Sequence, residues 1–300
     1  MKTACVDIGG TYIKTGVLEH GQLSMLRETP TNAQEGAEAM LARVADLIRA
    51  MPDVECVGIS TAGEVEPDTG CIRFACNIPG YTGLNPKEIL QNELNLPVAV
   101  ENDVNAAAVG EYAFGAAKNA RNFLMLTFGT GIGGAAVVDG RLYRGGCGSA
   151  GEFGGLITHP EAIDPNEQGT GSYERYASTT ALVKRVNGVY PEITTGREIF
   201  ARLEDPQIKA EVDAWINEIV YGLVTLIHAF NPEIIVLGGG IMHQPYIQEQ
   251  LNRRLYPLLK PTFRECRLKT AELGNQAGLM GAGHLVNLEE KRKTGADSTV

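Results

Sequence analysis

Residues 6–17, VDIGGTYIKTGV, place an aspartate, two glycines and a threonine between two segments that alternate like β-strands. Residues 127–137, TFGTGIGGAAV, repeat this arrangement with glycines at 129, 131, 133 and 134. Glycine permits positive φ and close backbone approach, so successive N–H groups in such a turn can converge on an anion. A tight hairpin is the alternative interpretation of each turn. Because the unit occurs twice, we expect an α/β protein with two related halves.

The composition restricts the class of protein. A length of 300 residues favours two domains. Hydrophobic residues make up 44% of the sequence, but no apolar run approaches the length that spans a membrane. The N-terminus enters strand-like alternation without the profile of a secretory signal, so we expect a cytoplasmic protein. A formal net charge of −10 disfavours binding to nucleic acid or to anionic membranes. The six scattered cysteines predict reduced, mostly packed thiols rather than disulfides or a metal framework.

Helical and strand-like patterns alternate along the chain after the first turn. Helices are predicted at 35–51, 86–94, 104–112, 173–186, 196–203, 207–230, 245–259 and from about 276 to a polar tail that frays. Residues 145–171 are rich in glycine and nearly without periodicity. A connection of that length is typical of functional loops.

Residues 97–112, PVAVENDVNAAAVGEY, place three polar side chains where an apolar strand meets an alanine-rich helix. These are Glu101, Asn102 and Asp103, and a half-buried carboxylate at such a seam costs free energy. Two interpretations compete. Asn and Asp at a helix start accept hydrogen bonds from free backbone N–H groups, whereas a carboxylate held there can also serve as a catalytic base.

Five motifs in order along the chain resemble those of the ROK family (repressors, open reading frames, kinases). They are DIGGT (7–11), ENDVNAAA (101–108), LTFGTGIGG (126–134), AGEFG (150–154) and VLGGGI (236–241). The resemblance implies a two-domain actin-like ATPase fold, which is ribonuclease H-like, with a cleft between the domains. It divides the chain into residues 1–118 with a returning C-terminal helix at about 276–292, and residues 119–275.

The resemblance also implies an ATP-dependent kinase that phosphorylates the 6-hydroxyl of a glucose-type sugar. Both glycine turns would contact the ATP phosphates. The glycines at 238–240 would lie against the adenosine. The implied nucleotide-binding residues are Asp7, Gly9, Gly10, Thr11, Gly129, Thr130, Gly131, Gly133, Gly238 and Gly239. Asp7 has two interpretations, since it either holds water-bound Mg²⁺ or only braces its turn.

The implied sugar site centres on Asn102, which would contact the sugar, and Asp103, which would accept the proton of the 6-hydroxyl. Further implied sugar contacts come from Gly63, Asn77, Glu152 and Glu174. For Asn77 a turn before Pro79 is an equal alternative, and for Glu174 a solvated position at a helix start.

One region departs from the family pattern. Family members typically continue from G-E-x-G into a histidine and a cysteine-rich motif that binds structural zinc, but Gly155 stands at the histidine position. No cysteine occurs between Cys147 and Cys266, so we expect no structural zinc. We interpret His159 as a surface-loop residue and expect packing to hold the loop through Tyr173 and Tyr176. Members that lack this zinc site resemble β-glucoside kinases, which act on cellobiose-like disaccharides, so the resemblance implies a β-glucoside as the substrate of this chain. The alternative is a glucokinase or another hexose or N-acetylhexosamine kinase.

Two other functional classes remain to be weighed. Repressors of the same family carry a helix-turn-helix before the first turn, and Asp7 lies six residues from the start, so we expect no DNA-binding module. A sugar-binding regulator without catalysis is disfavoured by the intact motifs. The resemblance further implies a homodimer. The predicted helix at 207–230, which contains Trp215 and Tyr221, is a candidate for its interface.

Overall fold

The computed structural model describes residues 1–293. The strands are β1 (Thr3–Ile8), β2 (Tyr12–Glu19), β3 (Gln22–Pro30), β4 (Cys56–Thr61), β5 (Glu64–Val65), β6 (Ile72–Phe74), β7 (Val98–Asn102), β8 (Phe123–Phe128), β9 (Ile132–Val138), β10 (Arg141–Tyr143), β11 (Ile234–Gly238) and β12 (Arg267–Thr270). The α-helices are α1 (Ala37–Arg49), α2 (Pro86–Leu94), α3 (Asp103–Phe114), α4 (Tyr173–Ala177), α5 (Thr179–Asn187), α6 (Gly196–Ala201), α7 (Pro206–Phe230), α8 (Pro245–Leu255) and α9 (Ala277–Lys293).

The first sheet has the order β3-β2-β1-β4-β7. β2 runs antiparallel to β1 and β3, whereas β4 runs parallel to β1 and β7. The carboxyl ends of β1, β4 and β7 therefore meet at one edge, where Asp7, Ser60 and Glu101 are register partners. Ligands of open α/β sheets bind at such edges.

The second sheet repeats this plan with the order β10-β9-β8-β11-β12. β8, β11 and β12 are parallel, and β9 pairs antiparallel with β10. Asp139 and Gly140 join β9 to β10 with φ of 53° and 73°, as a two-residue hairpin turn requires. The expected pair of strand–turn–strand units is therefore present, and the mixed α/β class is confirmed.

By their internal packing the residues form two compact units. Among the described residues, the first unit comprises Met1–Asn119, Ala136–Ala150 and 275–293, and the second comprises Ala120–Ala135 and Gly151–Gly274. The domain limits inferred from the motifs, at 118 and about 276, stay a prediction.

Within the first unit, α3 and α9 lie backbone against backbone. A Cβ added at Gly281 would come within 1.7 Å of the Ala106 carbonyl oxygen, and one at Gly110 within 2.4 Å of the Ala277 oxygen. Gly58 of β4 is equally close to α9, because its Cβ would lie 2.2 Å from the Ala282 oxygen. Only glycine permits these approaches, so the three residues fix the start of α3 against the sheet edge.

The structure corrects several expectations from the sequence. The helix predicted at 173–186 is two helices, because Ser178 adopts extended backbone angles and its hydroxyl caps α5 at the Ala181 N–H. The hairpin of β5 and β6 was not predicted, since its two-residue and three-residue strands are too short for a periodic signal. The polar end of the last helix is ordered as α9 to Lys293, and the remainder of the predicted fraying tail lies outside the described residues.

The cysteines are also less uniformly packed than expected. Cys5, Cys56 and Cys266 are buried, whereas Cys76 and Cys147 are exposed, and all are free thiols. No helix within residues 1–293 combines the length and apolar character needed to span a bilayer.

Candidate functional site

Two aspartates lie near the carboxyl edge of the first sheet. Asp7 is on β1 and accepts a hydrogen bond from the Ser60 hydroxyl on β4 at 2.8 Å. Asp103 is the first residue of α3, directly after β7. Both side chains are half-buried, and the chain thus brings two carboxylates to the same edge from opposite sides of β4.

Asn102 caps α3 and orients Asp103. Its Oδ1 accepts hydrogen bonds from the backbone N–H groups of Val104 and Asn105 at 2.9 and 3.1 Å. Its Nδ2 donates to Asp103 Oδ1 and to the Gly63 carbonyl, both at 3.0 Å. The capping interpretation therefore applies to Asn102 rather than Asp103, and the expected sugar contact of Asn102 stays a prediction.

The environment disfavours ionisation of both aspartates. Burial and, to a smaller extent, the nearby charge of Asp7 raise the pKa of Asp103 to about 6, although hydrogen bonds from Val104 and Asn102 oppose the rise. Burial also raises the pKa of Asp7, and the Ser60 hydroxyl and Lys14 charge oppose that rise. A carboxylate whose pKa lies near neutrality is suited to accept a proton.

An ion pair with a buried carboxylate lies two residues before Asp103 and was missed by the sequence reasoning. Glu101, which is 4% exposed, accepts hydrogen bonds from Arg144 Nε and Nη2 at 3.2 and 2.6 Å. The partners are 43 residues apart, and Arg144 directly precedes the glycine-rich stretch 145–171, in which no pattern was detected. Only the polar character of Glu101 in an apolar strand signalled that a partner was needed.

The first glycine turn joins β1 to β2. Gly9 donates its N–H to the Tyr12 carbonyl at 3.0 Å, and its own carbonyl accepts from the Thr31 hydroxyl at 2.7 Å. Gly10 and Thr11 at the tip are exposed. The turn is thus braced at its base with its tip open to solvent.

Asn77 and Gly63 belong to the same unit as this turn. Asn77 is exposed, and its Cβ lies 3.4 Å from the position that a Cβ of Gly10 would occupy. Gly63 has a φ of 111°, and a Cβ there would lie 2.7 Å from the Phe74 carbonyl oxygen. Glycine at 63 thus allows its carbonyl to receive the Asn102 amide.

The second glycine turn, in the second unit, is shorter than expected. It comprises Gly129–Gly131, with the Gly129 N–H donating to the Gly131 carbonyl at 3.0 Å. Gly133 and Gly134 lie within β9 instead, which corrects their expected position in the turn. At Gly134 the reason is packing, because a Cβ would lie 2.3 Å from the Phe153 ring.

A cavity of about 740 Å³ lies beside the second turn, wholly within the second unit. Its lining is Phe128, Gly129, Thr130, Thr179, Thr180, Val183, Thr194, Thr195, Gly196, Arg197, Gly240, Ile241 and Gln244. Gly240 lines it, whereas Gly238 packs on Thr127 and Gly239 on the Phe128 backbone. The two predicted glycines therefore let β11 approach β8. Gly129 and Thr130 line the cavity and were in the predicted set, whereas the sequence reasoning missed the lining residues Thr179, Thr180, Thr194, Thr195, Arg197 and Gln244.

Glu174 contacts the second turn. Its Oε2 accepts the Ile132 N–H at 3.3 Å, and a Cβ at Gly131 would lie 2.5 Å from the same oxygen. The helix-start glutamate is therefore a brace between α4 and the turn, rather than only a solvated side chain. Glu152 is exposed and directly precedes the short 3₁₀ segment Phe153–Gly155.

The segment where relatives would bind zinc has its own set of contacts. His159 is hydrogen-bonded to Glu161 and Glu218 at 2.7 and 2.8 Å and stacks on Tyr176 with ring centroids 3.7 Å apart. Burial lowers the pKa of His159, but the two carboxylates outweigh it and raise the pKa. His159 lies in a loop and is partly exposed, as expected, but contacts with Tyr176 of α4 and Glu218 of α7 hold its ring in place.

Tyr173 completes the attachment of this segment. It is fully buried, donates its hydroxyl hydrogen to the Ile219 carbonyl at 2.8 Å, and leaves room only for glycine at 222. Packing and hydrogen bonds together hold the loop, which corrects the expectation of packing alone. Within residues 1–293, no three His, Cys, Asp or Glu side chains form a group able to hold a metal ion.

The chain is similar to known proteins over nearly its whole length. A family model described as "ROK family" matches residues 3–289. The β-glucoside kinase of Listeria innocua is 37% identical over 303 residues, covering 97% of this chain and 99% of that protein.

Two solved structures have the same fold. The ROK hexokinase from Thermus thermophilus has a TM-score of 0.85 and 33% identity, covering 97% of this chain and 100% of that one. A ROK family glucokinase from Streptomyces griseus, in complex with glucose and AMPPNP, has a TM-score of 0.81 and 30% identity, covering 96% and 100%. The actin-like ATPase fold expected from the motifs is thereby confirmed.

The raised pKa of Asp103 predicts a pH-dependent effect on stability. A carboxyl whose folded pKa of about 6 exceeds its ordinary 3.8 stabilises the fold below pH 4 and loses that contribution as pH rises through 6. Asp103→Asn should therefore raise the free energy of unfolding relative to wild type by on the order of 2–3 kcal/mol at pH 8, and by much less at pH 4.5. Urea unfolding at the two pH values measures this, and an equal difference at both would contradict it.

Proposed function

The chain belongs to the ROK family, and from that premise we propose that it is an ATP-dependent sugar kinase in which Asp103 is the catalytic base. The observation that carries the proposal is the position of Asp103 at the start of α3, held by Asn102, with its pKa raised to about 6. The carbohydrate-kinase names of the relatives support the same activity. ATP as the donor agrees with AMPPNP in the Streptomyces griseus glucokinase.

In the proposed reaction the 6-hydroxyl oxygen of the sugar attacks the terminal phosphorus of ATP. The new O–P bond forms as the bond from that phosphorus to the bridging oxygen of ADP breaks, and the hydroxyl proton passes to the Asp103 carboxylate. Asn102 keeps Asp103 Oδ1 fixed, so the other carboxylate oxygen is the one we assign to the proton. A positioned base contributes about 10²–10⁴-fold to such a rate.

The cavity beside the second glycine turn is proposed to bind the nucleoside part of ATP. Its volume of about 740 Å³ is of the size that small-molecule sites have. Thr179 and Thr180 contact the turn. The Thr180 N–H donates to the Gly129 carbonyl, and the Thr179 hydroxyl donates to the Phe128 carbonyl. Arg197 supplies a positive charge that suits an anionic ligand in an acidic protein. The phosphate contacts of both turns and the adenosine contacts of Gly238 and Gly239 stay predictions.

Magnesium is the metal that we propose to accompany ATP. Mg²⁺ prefers oxygen ligands and commonly uses one or two carboxylates, with water and phosphate oxygens completing its shell. Asp7 fits this role, because its carboxylate lies near that of Asp103 and both carry raised pKa values that a cation would relieve. A bound metal would neutralise charge on the phosphates, and Asp7 would hold it through water.

A β-glucoside such as cellobiose is the substrate class that we propose, with a glucokinase or another hexose or N-acetylhexosamine kinase as the alternative. Gly155 is exposed, and a Cβ there would meet nothing within 4 Å, so the position of the family histidine is open. Glu152, Glu174, Asn77 and Gly63 are the proposed sugar contacts besides Asn102. The β-glucoside kinase name of the Listeria innocua relative agrees with this choice.

The homodimer and the cytoplasmic location stay predictions. Trp215 of α7 is fully buried, so it belongs to the core, whereas Tyr221 is 48% exposed and Phe230 is 39% exposed. These two are the candidate interface residues, and light scattering on the purified protein measures the oligomeric state directly.

The activity is tested by ADP release across glucose, mannose, N-acetylated hexoses, cellobiose and gentiobiose. We expect sugar-dependent release that is greatest with a β-linked disaccharide, and a fall in kcat of about 10²–10⁴-fold in Asp103→Asn with KM values little changed. The reason is that the amide cannot accept the hydroxyl proton.

Asp53→Asn is the matched control for this variant. Asp53 belongs to the same unit, its side chain is 91% exposed, and its φ of 57° is one that asparagine tolerates. The control should retain wild-type kcat. Full turnover by Asp103→Asn would remove Asp103 from its proposed role, and glucose preferred over every disaccharide would favour the glucokinase alternative.

Gly240→Leu tests the nucleotide cavity separately. A Cβ at Gly240 meets nothing within 4 Å, so the new side chain should fill the cavity without disturbing the fold. We expect the KM for ATP to rise at least about tenfold, the equivalent of ~1.4 kcal/mol, at an unchanged melting temperature. Gly146→Leu, at another exposed glycine with the same free space, is the control, and an unchanged KM for ATP in Gly240→Leu would contradict the assignment.

A further inference from the structure

Glu101 is a buried carboxylate with four hydrogen-bond donors around it. Its Oε1 accepts from the Asn102 backbone N–H at 3.0 Å and from Asn105 Nδ2 at 3.1 Å. Its Oε2 accepts from both Nε and Nη2 of Arg144, at 3.2 and 2.6 Å, with the side chain of Glu101 only 6% exposed. An unpaired charge so placed costs several kcal/mol, so the carboxylate depends on the guanidinium.

We propose that Arg144, through its ion pair with Glu101, is a positioning residue for the base Asp103. This rests on the proposed kinase function, since it assigns a further residue to the same reaction. Arg144 lies in the segment Arg144–Ala150, which belongs to the first unit together with Glu101 and Asp103.

A short chain of hydrogen bonds leads from Glu101 to Asp103. Glu101 fixes the Asn102 N–H and the Asn105 side chain, which precede and follow the base. Asn102 in turn holds Asp103 Oδ1 and caps the first turn of α3. A shift of Glu101 would therefore move the residue that orients the base.

The segment Arg144–Ala150 has a second attachment near the same place. The Ser149 hydroxyl donates to Glu64 Oε2 at 2.9 Å, and the Ala150 N–H donates to the Arg144 carbonyl at 3.2 Å. Glu64 directly follows Gly63, whose carbonyl receives the Asn102 amide. The segment thus holds Asn102 from two sides, through Glu101 on β7 and through the start of β5.

Glu101 itself cannot be the base. Side chains of neighbouring strand residues point to opposite faces, so Glu101 points away from the face of Asn102. Both of its oxygens are occupied by protein donors, and it is almost fully removed from solvent. Its effect on the reaction must pass through Asn102 and Asp103.

The test compares kcat and KM for ATP in Arg144→Met, Arg144→Lys and the double variant Glu101→Gln/Arg144→Met, with wild type assayed alongside. We expect Arg144→Met to lower kcat at least about tenfold with the KM for ATP within about twofold, because alignment rather than nucleotide binding is lost. Arg144→Lys should recover part of the loss, since lysine keeps the charge without the planar fork. The double variant should be no slower than Arg144→Met, as expected of residues that act as one unit.

Arg49→Met is the control, because Arg49 forms an exposed ion pair with Asp46 and Glu93 elsewhere in the unit. Wild-type kcat in folded Arg144→Met, or a double variant that is slower than Arg144→Met, would overturn the proposal while leaving the kinase function intact. If Arg144→Met does not fold, Arg144→Lys decides alone: a lower kcat supports the proposal and a wild-type kcat overturns it. A wild-type protein without sugar-dependent ADP release would overturn both proposals.

Discussion

Keeping a carboxylate ionised in a half-buried position is the constraint on which the site depends. Burial and the neighbouring Asp7 both push the Asp103 carboxyl toward its neutral form, and its pKa accordingly rises to about 6. Hydrogen bonds from Val104 and Asn102 oppose that rise, and the start of α3 adds a favourable helix dipole. The balance leaves the group ionised at neutral pH yet basic enough to take a proton, which is the state that phosphoryl transfer to an alcohol requires.

The backbone around this group is held by close packing as much as by polar contacts. Gly110 and Gly281 let α3 and α9 touch, and Gly58 lets α9 lie on β4, so the helix that begins at Asp103 has little freedom to shift. The ion pair of Glu101 and Arg144 adds a polar restraint two residues before the base. Close backbone packing limits where the helix lies, and the ion pair limits how its first turn is oriented. A base that works by alignment needs both restraints.

The sequence predicted much of the fold, because hydrophobic periodicity and the repeated strand–turn–strand unit are local signals. Helix α2 was predicted to the residue, since Pro86 at its first position and Asn85 as its cap mark its start. The failures depend on tertiary contacts. Arg144 finds its partner 43 residues away, and Gly133 and Gly134 were assigned to a turn although they lie in a strand. His159 has Glu161 close by in the sequence, but it gains its second carboxylate, Glu218, only when α7 packs nearby. For the same reason the motifs predicted the glycine-rich turns with Thr130, but not the other four threonines, Arg197 and Gln244 of the cavity.

The proposed role of Asp103 requires that its carboxyl titrate near pH 6 in the folded protein. Carbon-13 NMR of protein labelled at the aspartate carboxyl carbons measures this directly, with the Asp103 resonance assigned by its absence from the Asp103→Asn spectrum. We expect an inflection near pH 6, shifted to lower pH in Asp7→Asn because the neighbouring charge is removed. A resonance that titrates at the ordinary value of about 4 in wild type, unaffected by Asp7→Asn, would contradict it.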